Sequence, residues 1–397
     1  MTVYIVAAKR SPIGSFQGSL SSLSSVELGT TLVKQFIHDL NLPSDFTIDE
    51  CFWGSALQAN LGQNVSRQIV INAGLNPGII STTINKVCAS SMKATICGIQ
   101  SILLGDSEVV LVGGSESMSN VPYYVNGGNI RRGEVKYGNI NLIDGLQFDG
   151  LTNVFEPELL MGHSAEKTAK EFSISRLDQD EYAINCYETA IQSYKDHKFD
   201  SEIIPIEIKT RKGSSIINKD EDLNKYNRDK LKTVKPAFIP DGTVTAANSP
   251  SFNDGAAVLL LVNEQALHKY GLTAIAKVRS YGEAERDPID FTIAPSLAIT
   301  KALNKINTTI DDIDYFEINE AFSVVGIANA KLLNIPHEKL NVYGGSVALG
   351  HPLGASGARI LTTLVNILTH ESTTSKLGVA GICNGGGGAS AIVIEKV

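Results

Sequence analysis

Residues 88–117, CASSMKATICGIQSILLGDSEVVLVGGSES, contain the order of elements that decides the fold. A turn of small residues is followed by an apolar helical pattern, a continuous aliphatic run and a glycine-rich turn. Residues 354–390, GASGARILTTLVNILTHESTTSKLGVAGICNGGGGAS, repeat this order. A repeated supersecondary unit indicates two related halves. Because the two copies match in pattern more than in identity, the repeat alone leaves duplication and coincidence both open.

Other apolar runs alternate with helical patterns along the chain, among them residues 3–8 (VYIVAA), 256–262 (AAVLLLV) and 391–397 (AIVIEKV). This alternation predicts an α/β fold whose sheets are covered by helices. Residues 121–248 are richer in Asn, Lys, Asp and Glu, and residues 209–230 within them predict an exposed excursion. We therefore predict a loop domain, residues 121–248, inserted into a core. The core consists of an N-terminal half, residues 1–120 plus 249–272, and a C-terminal half, residues 273–397.

Length, composition and charge exclude several classes of protein. The chain has 397 residues, of which 43% are hydrophobic and 19% charged, as expected for a globular protein with more than one core. The net charge of −8, without a basic stripe, argues against a nucleic-acid partner, although an anion as small as one nucleotide needs only local cations. No targeting pattern is visible, and we expect no apolar stretch to reach the roughly 18 residues that span a bilayer.

The cysteines, five in number, are irregularly spaced and form no C-x-x-C pair. This argues against a zinc site or a disulfide framework and favours a reducing compartment. We therefore predict a cytoplasmic protein without a membrane partner. The cysteines are Cys51, Cys88, Cys97, Cys186 and Cys383.

Three residues at the junctions of elements are candidates for chemistry. Cys88 precedes a helical pattern, where helix N-terminal amides would lower the thiol pKa, although a free cysteine is more often buried and inert. His351 lies among glycines in YGGSVALGHPLGASGAR (343–359) and could exchange protons or donate to an oxyanion, or could simply bond a carbonyl in a turn. Cys383 ends an apolar strand before four glycines, which predict an anion-binding nest or a tight turn.

A fourth candidate lies in DYFEINEAFSVVG (314–326), where Asn319 and Glu320 end a strand pattern and begin a helical one. The alternative is a helix start that Glu320 caps. Taken together, two cysteines, a histidine and an asparagine meet the needs of carbon–carbon bond chemistry on a thioester. That chemistry requires a nucleophile, a base for the α-proton and donors for an enolate.

Long motifs then give a family resemblance over nearly the whole chain: VYIVAAKRSPIGSFQGSL (3–20), NKVCASSMKA (85–94), NEAF (319–322), residues 343–359 and CNGGGG (383–388). The chain resembles the thiolases, and it is most similar to the biosynthetic acetoacetyl-CoA thiolases in VPYYV (121–125), GTVTAAN (242–248) and DFTIAPSLA (290–298). The resemblance implies a five-layered αβαβα core of two similar halves, an inserted loop domain and a homotetramer.

The implied activity is that of an acetyl-CoA C-acetyltransferase, which reversibly condenses two acetyl-CoA into acetoacetyl-CoA and coenzyme A. Coenzyme A is then a substrate or product, no covalent cofactor is needed, and the reaction supplies mevalonate and sterol precursor synthesis. A 3-ketoacyl-CoA thiolase of broader chain length is the alternative. The Cys383 motif argues against a ketosynthase, and Cys88, His351 and Cys383 together argue against a binding protein that has lost catalysis.

The resemblance also implies roles for individual residues. Cys88 is the acylated nucleophile, His351 its base and an oxyanion donor, and Cys383 the acid and base for the α-carbon. Asn319 holds a water that completes the enolate site, and the amides of Cys88 and Gly385 form a second oxyanion hole. The implied substrate and coenzyme A contacts are Met161, Lys230, Ser249 and Phe322, and the implied potassium ligands are Tyr187, Ala246, Ala247, Ser249 and Val347.

Three positions depart from the family pattern. Ser91 replaces a glycine and is expected to crowd its turn, Leu160 replaces a histidine, and Pro250 replaces a serine that contacts coenzyme A. His163 is not the histidine of the family. The coenzyme A pocket is therefore expected to differ in detail.

Overall fold

The computed structural model describes residues 1–210, 213–371 and 376–397, without the side chain of Thr210. The described strands are, in chain order, β1 Val3–Arg10, β2 Gly14–Ser15, β3 Glu50–Gly54, β4 Ile80–Ile84, β5 Val109–Ser117, β6 Tyr123–Tyr124, β7 Ile143–Asp144, β8 Ile206–Thr210, β9 Gly213–Ile217, β10 Asn253–Asn263, β11 Ala276–Glu285, β12 Tyr315–Ile318, β13 Leu377–Asn384 and β14 Gly388–Lys396.

Helices alternate with these strands, as the sequence predicts. The α-helices are α1 Ser25–Asp39, α2 Val65–Asn72, α3 Ser90–Leu104, α4 Gly127–Arg131, α5 Met161–Glu171, α6 Arg176–Lys195, α7 Arg228–Leu231, α8 Glu264–Lys269, α9 Ala294–Asn304, α10 Ser323–Leu333, α11 Ser346–Leu349 and α12 Ser356–His370. Short 3₁₀ helices lie at Met118–Asn120, Glu221–Lys225, Pro288–Ile293, His337–Lys339 and Leu353–Ala355, and a π-helix at Leu146–Leu151.

The strand order shows that the core has two halves of the same topology. The main sheet runs β12-β13-β14-β11-β1-β10-β5-β3-β4. In the N-terminal half β3 is parallel to β5, β5 antiparallel to β10, and β10 antiparallel to β1. In the C-terminal half β12, β13, β14 and β11 repeat these relations in the same order. The repeated sequence units become α3–β5 and α12–β13, which occupy equivalent positions, so the two-half architecture is confirmed.

Alternating burial along the strands produces five layers. In β5, Val110 and Val112 pack on one side together with α3 and α12, while Val109 and Leu111 pack on the other side with α1 and α2. In β14, Ile394 faces the same central helices, and α9 covers the opposite face. Because successive side chains of a strand point to opposite faces, each half of the sheet is covered on both sides. The expected αβαβα layering is therefore present.

The two central helices approach each other closely at their N-terminal ends. A Cβ atom added at Gly357 would overlap the backbone of Met92, so α12 needs glycine there. Ser91 was expected to crowd its turn, but its buried hydroxyl accepts a 2.9 Å hydrogen bond from the backbone amide of Ala358. That amide lies in the first turn of α12, where backbone amides have no acceptor within their own helix. Ser91 therefore connects the starts of the two helices.

The segment between the two parts of the N-terminal half contains helices as well as loops, and its division into a separate domain stays a prediction. The expectation that residues 209–230 form an exposed excursion is wrong in part. Asp220 and Asp222 are 1% and 3% exposed. Asp220 accepts hydrogen bonds from the buried guanidinium of Arg10 at 2.7 and 3.0 Å. A charged pair in the interior requires such partners, which the sequence pattern does not show.

One stretch of the described residues, Val87–Leu104, is long and apolar enough to cross a membrane, and 67% of it is buried in the fold. The expectation that no apolar stretch reaches this length is therefore wrong. The stretch contains α3, which is largely apolar because most of it is buried in the central layer, with Leu103 and Leu104 exposed at its C-terminal end.

Candidate active site

Loops from both halves of the core meet at the N-terminal ends of α3 and α12. Cys88 precedes α3, His351 precedes α12, Asn319 follows β12, and Cys383 is the penultimate residue of β13. The backbone amide of Gly385 lies against the Cys88 thiol, and Cys383 is close enough for its charge to interact with Cys88. The structure therefore brings the two cysteines and Gly385 together.

Asn319 and His351 form a second contact in this region. Asn319 Nδ2 lies 3.5 Å from His351 Nδ1, and both side chains are buried. Helix α12, which follows the loop that carries His351, is connected to the start of α3 by the bond between Ser91 and Ala358. Four predicted site residues from distant parts of the chain thus lie around the meeting point of the two central helices.

The turn before α3 holds Cys88 in a strained backbone. Val87 has a φ of +48°, a left-handed conformation that β-branched residues rarely adopt. The side chain of Ser90 stabilises the turn, because it donates to the carbonyl of Val87 at 2.6 Å and accepts from the amide of Lys86 at 2.9 Å. Such strain persists only where surrounding contacts fix it, and it is concentrated at functional sites.

Burial determines the protonation of both thiols. Desolvation raises the pKa of Cys88 to about 12, although the Gly385 amide opposes the rise. Desolvation also raises the pKa of Cys383 well above its usual value. The expected lowering of the Cys88 pKa at the start of the helix is therefore wrong, because desolvation outweighs the hydrogen bonds from the backbone amides of Gly385 and Cys88. Cys88 is a neutral thiol before substrate binds and needs a base.

Hydrogen bonds fix which nitrogen of His351 is available as that base. His351 Nδ1 lies 2.7 Å from Ser356 Oγ, which lies 2.9 Å from the carbonyl oxygen of Pro352. A serine hydroxyl has one proton, so both contacts are hydrogen bonds only if Ser356 donates to Pro352 and accepts from Nδ1–H. The other nitrogen, Nε2, is then unprotonated, and it is buried without a partner among the described residues.

The imidazole of His351 is also kept neutral. Burial lowers its pKa to about 3, and the positive charge of Arg359 contributes to this shift. The backbone amide of His351 donates to Asn253 Oδ1 at 2.8 Å, which fixes the start of the loop. A neutral, oriented imidazole can accept a proton from a thiol at neutral pH.

A buried glutamate, Glu116, holds the loops around the site. Its carboxylate accepts hydrogen bonds from the amides of Ala56 (2.9 Å), Leu57 (3.2 Å) and Gly354 (2.8 Å). Gly354 belongs to the His351 loop, so Glu116 connects that loop to the N-terminal half. Desolvation raises the pKa of Glu116 to about 7. The sequence pattern did not identify Glu116 as a site residue. The signal that could have identified it was an acidic residue at the end of an apolar strand pattern.

Glu320 does not cap α10, the helix that follows it, so that alternative is wrong. The N-cap position of α10 is Phe322, which makes no side-chain cap bond. Glu320 is buried and accepts from Tyr182 at 2.7 Å, from Asn341 at 2.6 Å and from the amide of Val347 at 2.9 Å. It fixes the segment after Asn319 to α6 and α11.

The predicted substrate contacts are only partly brought together. The Met161 side chain lies beside Gly385, since a Cβ built on that glycine would be 3.3 Å from the methionine methyl carbon. Phe322 packs in one apolar cluster with Cys383. The hydroxyl of Ser249 is buried and has no partner among the described residues. Lys230 is exposed on α7, and no contact in the described part of the chain connects it with Met161, Phe322 or Ser249.

Two of the positions that depart from the family pattern, Leu160 and Pro250, are sequence neighbours of the predicted substrate contacts Met161 and Ser249. The Leu160 amide donates to His163 Nδ1 at 3.0 Å, so His163 closes the start of α5. Pro250 follows Ser249 and is partly buried. No contact in the structure assigns Pro250 a role.

Part of the predicted potassium set also lies together. Tyr187, Ala247 and Val347 belong to one cluster. Within residues 1–210, 213–371 and 376–397, the carbonyl oxygens of Ala246 and Ala247 accept no hydrogen bond. Free neutral carbonyls suit a monovalent cation. The same described ranges contain no group of three His, Cys, Asp or Glu side chains that could hold a metal ion.

Comparison with known proteins identifies two family models in the chain. The model described as "Thiolase, N-terminal domain" matches residues 3–265, and "Thiolase, C-terminal domain" matches residues 272–396. Acetyl-CoA acetyltransferase IA of Candida tropicalis is 52% identical over 100% of this chain and 97% of its own length. Acetyl-CoA acetyltransferase ERG10, cytosolic, of Gibberella zeae is 49% identical over 100% of this chain and 98% of its own length.

Solved structures have the same fold. The Acat5 thiolase from Ascaris suum in complex with coenzyme A is 45% identical, with a TM-score of 0.93 over 100% of both chains. Human mitochondrial 3-ketoacyl-CoA thiolase is 34% identical, with a TM-score of 0.95 over 100% of this chain and 99% of its own.

The raised pKa of Cys88 predicts how its alkylation depends on pH. Because the thiolate is the nucleophile, the rate of iodoacetamide labelling of Cys88 should rise roughly tenfold per pH unit from about pH 7 to about pH 9. Peptide mass spectrometry distinguishes Cys88 from Cys97, which is partly exposed. A plateau below about pH 8 would show that Cys88 is already a thiolate.

Proposed function

The chain belongs to the thiolase family and is an acyltransferase, and we propose that it interconverts two acetyl-CoA with acetoacetyl-CoA and coenzyme A. The observation that carries this proposal is the site around Cys88. The buried Cys88 thiol contacts the Gly385 amide and interacts with a second thiol, Cys383, and a neutral histidine is held in the loop before α12. A nucleophile, a base and a separate acid are what thioester cleavage and condensation require.

In the cleavage direction, His351 Nε2 accepts the proton of Cys88 while the sulfur attacks the 3-keto carbon of acetoacetyl-CoA. A carbon–sulfur bond forms, and the bond between C2 and C3 then breaks. The departing enolate of acetyl-CoA takes the proton of Cys383, whose raised pKa keeps that proton in place until it is needed. Cys88 is left acetylated.

In the second half, the thiol of coenzyme A gives its proton to the Cys383 thiolate and attacks the acetyl carbonyl. The bond to Cys88 breaks, and Cys88 recovers the proton held on His351. Condensation is the reverse sequence. We assign the enolate oxygen to His351 and to a water on Asn319, and the tetrahedral oxyanion to the amides of Cys88 and Gly385.

The size of the acyl group is assigned from Met161. Its side chain lies beside Gly385 and therefore beside the reacting sulfur. We propose that it limits the pocket to acetyl and acetoacetyl groups. Ser249, whose buried hydroxyl lacks a partner, and Phe322 are the proposed coenzyme A contacts. The exposed Lys230 is proposed to reach the nucleotide end.

The proposed activity is tested with purified protein, acetoacetyl-CoA and coenzyme A, by following loss of the 3-ketoacyl-CoA absorbance. We expect cleavage to two acetyl-CoA, and we expect Cys88→Ala to lose it because no acyl acceptor remains. The matched control, Cys97→Ala, should stay active. Activity in Cys88→Ala would contradict the mechanism, and equal rates on a longer 3-ketoacyl-CoA would favour the broader 3-ketoacyl-CoA thiolase instead.

We propose that the protein is a homotetramer. Strand β4 is a sheet edge with partly exposed residues, including Ile80 at 64% exposure. An unprotected edge strand is suited to pairing with a second copy. A separate group of exposed apolar side chains, Tyr123, Tyr137, Ile140 and Leu142, lies in the segment around β6 and β7. Two distinct surfaces are what a dimer of dimers needs.

Light scattering tests this assembly. The wild-type protein should have the mass of four chains, and Ile80→Lys should give a smaller species because a charge at the edge opposes strand pairing. Ile216→Lys is the control, since Ile216 has a similar exposure of 68% in the β8–β9 hairpin. A monomeric wild-type protein would refute the proposal.

We also propose a potassium ion near the free carbonyls of Ala246 and Ala247, with Tyr187, Ser249 and Val347 as the remaining candidate ligands. If potassium binds, the melting temperature of the protein should be higher in potassium chloride than in sodium chloride of equal ionic strength, because a ligand that binds the native state stabilises the native state. Cleavage activity should rise in the same series. Identical melting curves in the two salts would count against the site.

We propose a cytoplasmic location, where acetoacetyl-CoA would enter mevalonate and sterol precursor synthesis. The cysteines, all of which are free thiols, are compatible with a reducing compartment. Cell fractionation tests this, and recovery in a membrane-bounded organelle would contradict it.

A further inference from the structure

A chain of buried hydrogen bonds leads from α12 to the side chain of Asn319. Arg359 Nη2 donates to Ser346 Oγ at 2.7 Å, and Ser346 Oγ lies 2.7 Å from Asn319 Oδ1. All three side chains are at most 2% exposed. Ser346 has no part in the proton transfers at Cys88, His351 and Cys383, and Arg359 influences them only through its charge, which helps to lower the pKa of His351.

The direction of each bond follows from the donor. An arginine guanidinium can only donate, so the Ser346 oxygen is the acceptor from Arg359. The single proton of Ser346 is then free to be donated to Asn319, which must present its oxygen. If the amide were turned round, Ser346 would face an NH₂ group and its own proton would lose an acceptor. A lost buried hydrogen bond disfavours that orientation.

We infer that Ser346, held by Arg359, is a positioning residue that turns the NH₂ group of Asn319 toward the catalytic histidine. This inference rests on the proposed function and deepens it, since Asn319 acts there as a donor toward the enolate site. Asn319 Nδ2 lies 3.5 Å from His351 Nδ1, and Nδ1 carries a proton that it donates to Ser356. The NH₂ group of Asn319 therefore does not donate a hydrogen bond to His351 and can donate to a water or an oxyanion.

Arg359 keeps this arrangement in place at all relevant pH values. Its guanidinium does not lose its proton in proteins. It is anchored beside Glu317, with Nη1 3.4 Å from Glu317 Oε2, and both side chains are buried. The backbone amide of Asn319 donates to the carbonyl of Gly381 at 2.9 Å. The backbone of Asn319 is thus fixed by the sheet, and its side-chain orientation is fixed by Ser346.

The test is a double-mutant cycle on acetoacetyl-CoA cleavage. Ser346→Ala removes the neutral hydrogen bond to Asn319 together with the acceptor of Arg359 Nη2. With the orientation of Asn319 no longer fixed, kcat should fall about three- to tenfold while KM changes less than about twofold. In an Asn319→Ala background the same change should alter kcat by less than about twofold, because the group that Ser346 orients is gone. A role in folding alone would give the same loss in both backgrounds.

Thr362→Val is the matched control. Thr362 is buried on the same helix as Arg359, and its hydroxyl has no partner among the described residues. This variant should keep the wild-type kcat and melting temperature. An unchanged kcat in Ser346→Ala, or equal losses in both backgrounds, would overturn the inference while leaving the proposed function intact. A wild-type protein that does not cleave acetoacetyl-CoA would overturn both.

Discussion

The contact between the N-terminal ends of α3 and α12 is the constraint on which the rest of the site depends. Gly357 allows the two backbones to approach, and Ser91 Oγ accepts a hydrogen bond from the backbone amide of Ala358. Each helix begins beside a loop that carries a reactive residue, Cys88 or His351. Because both halves of the sheet pack against this pair of helices, the core and the site are fixed by the same contact.

The central position of this contact also explains the protonation states. The site is enclosed by the two halves of the main sheet and by two helices, and its reactive side chains are buried. Desolvation is accordingly the largest contribution to the pKa shifts of Cys88, Cys383 and His351. Each shift favours the neutral form. Before substrate binds, both thiols are therefore protonated, and the neutral imidazole can accept a proton. The chemistry then consists of moving these protons as bonds to the substrate form and break.

Buried polar side chains fix the loops whose conformation the strands of the main sheet do not determine. Glu116 bonds three amides from two loops, and Glu320 bonds groups from α6, α11 and the segment after α10. A buried carboxylate is costly unless its oxygens are satisfied, so each can be accommodated only when the loops close around it. These residues give the site a single geometry, and the pair of Ser346 and Arg359 extends the same principle to one side-chain amide.

The sequence by itself determined the alternation of strands and helices, the two related halves, and Cys88, His351, Asn319 and Cys383 as candidates. The periodicity of hydrophobic residues and the positions of glycines are local properties of the chain, so they can be read directly from the sequence. The tertiary structure alone decided the pKa of Cys88, the partners of Glu320 and the burial of Asp220. Each depends on groups brought in from distant segments, because desolvation and hydrogen bonding are set by all neighbours in space. The sequence could therefore locate the reactive residues, while only the packed structure fixes which of them are protonated and which way they face.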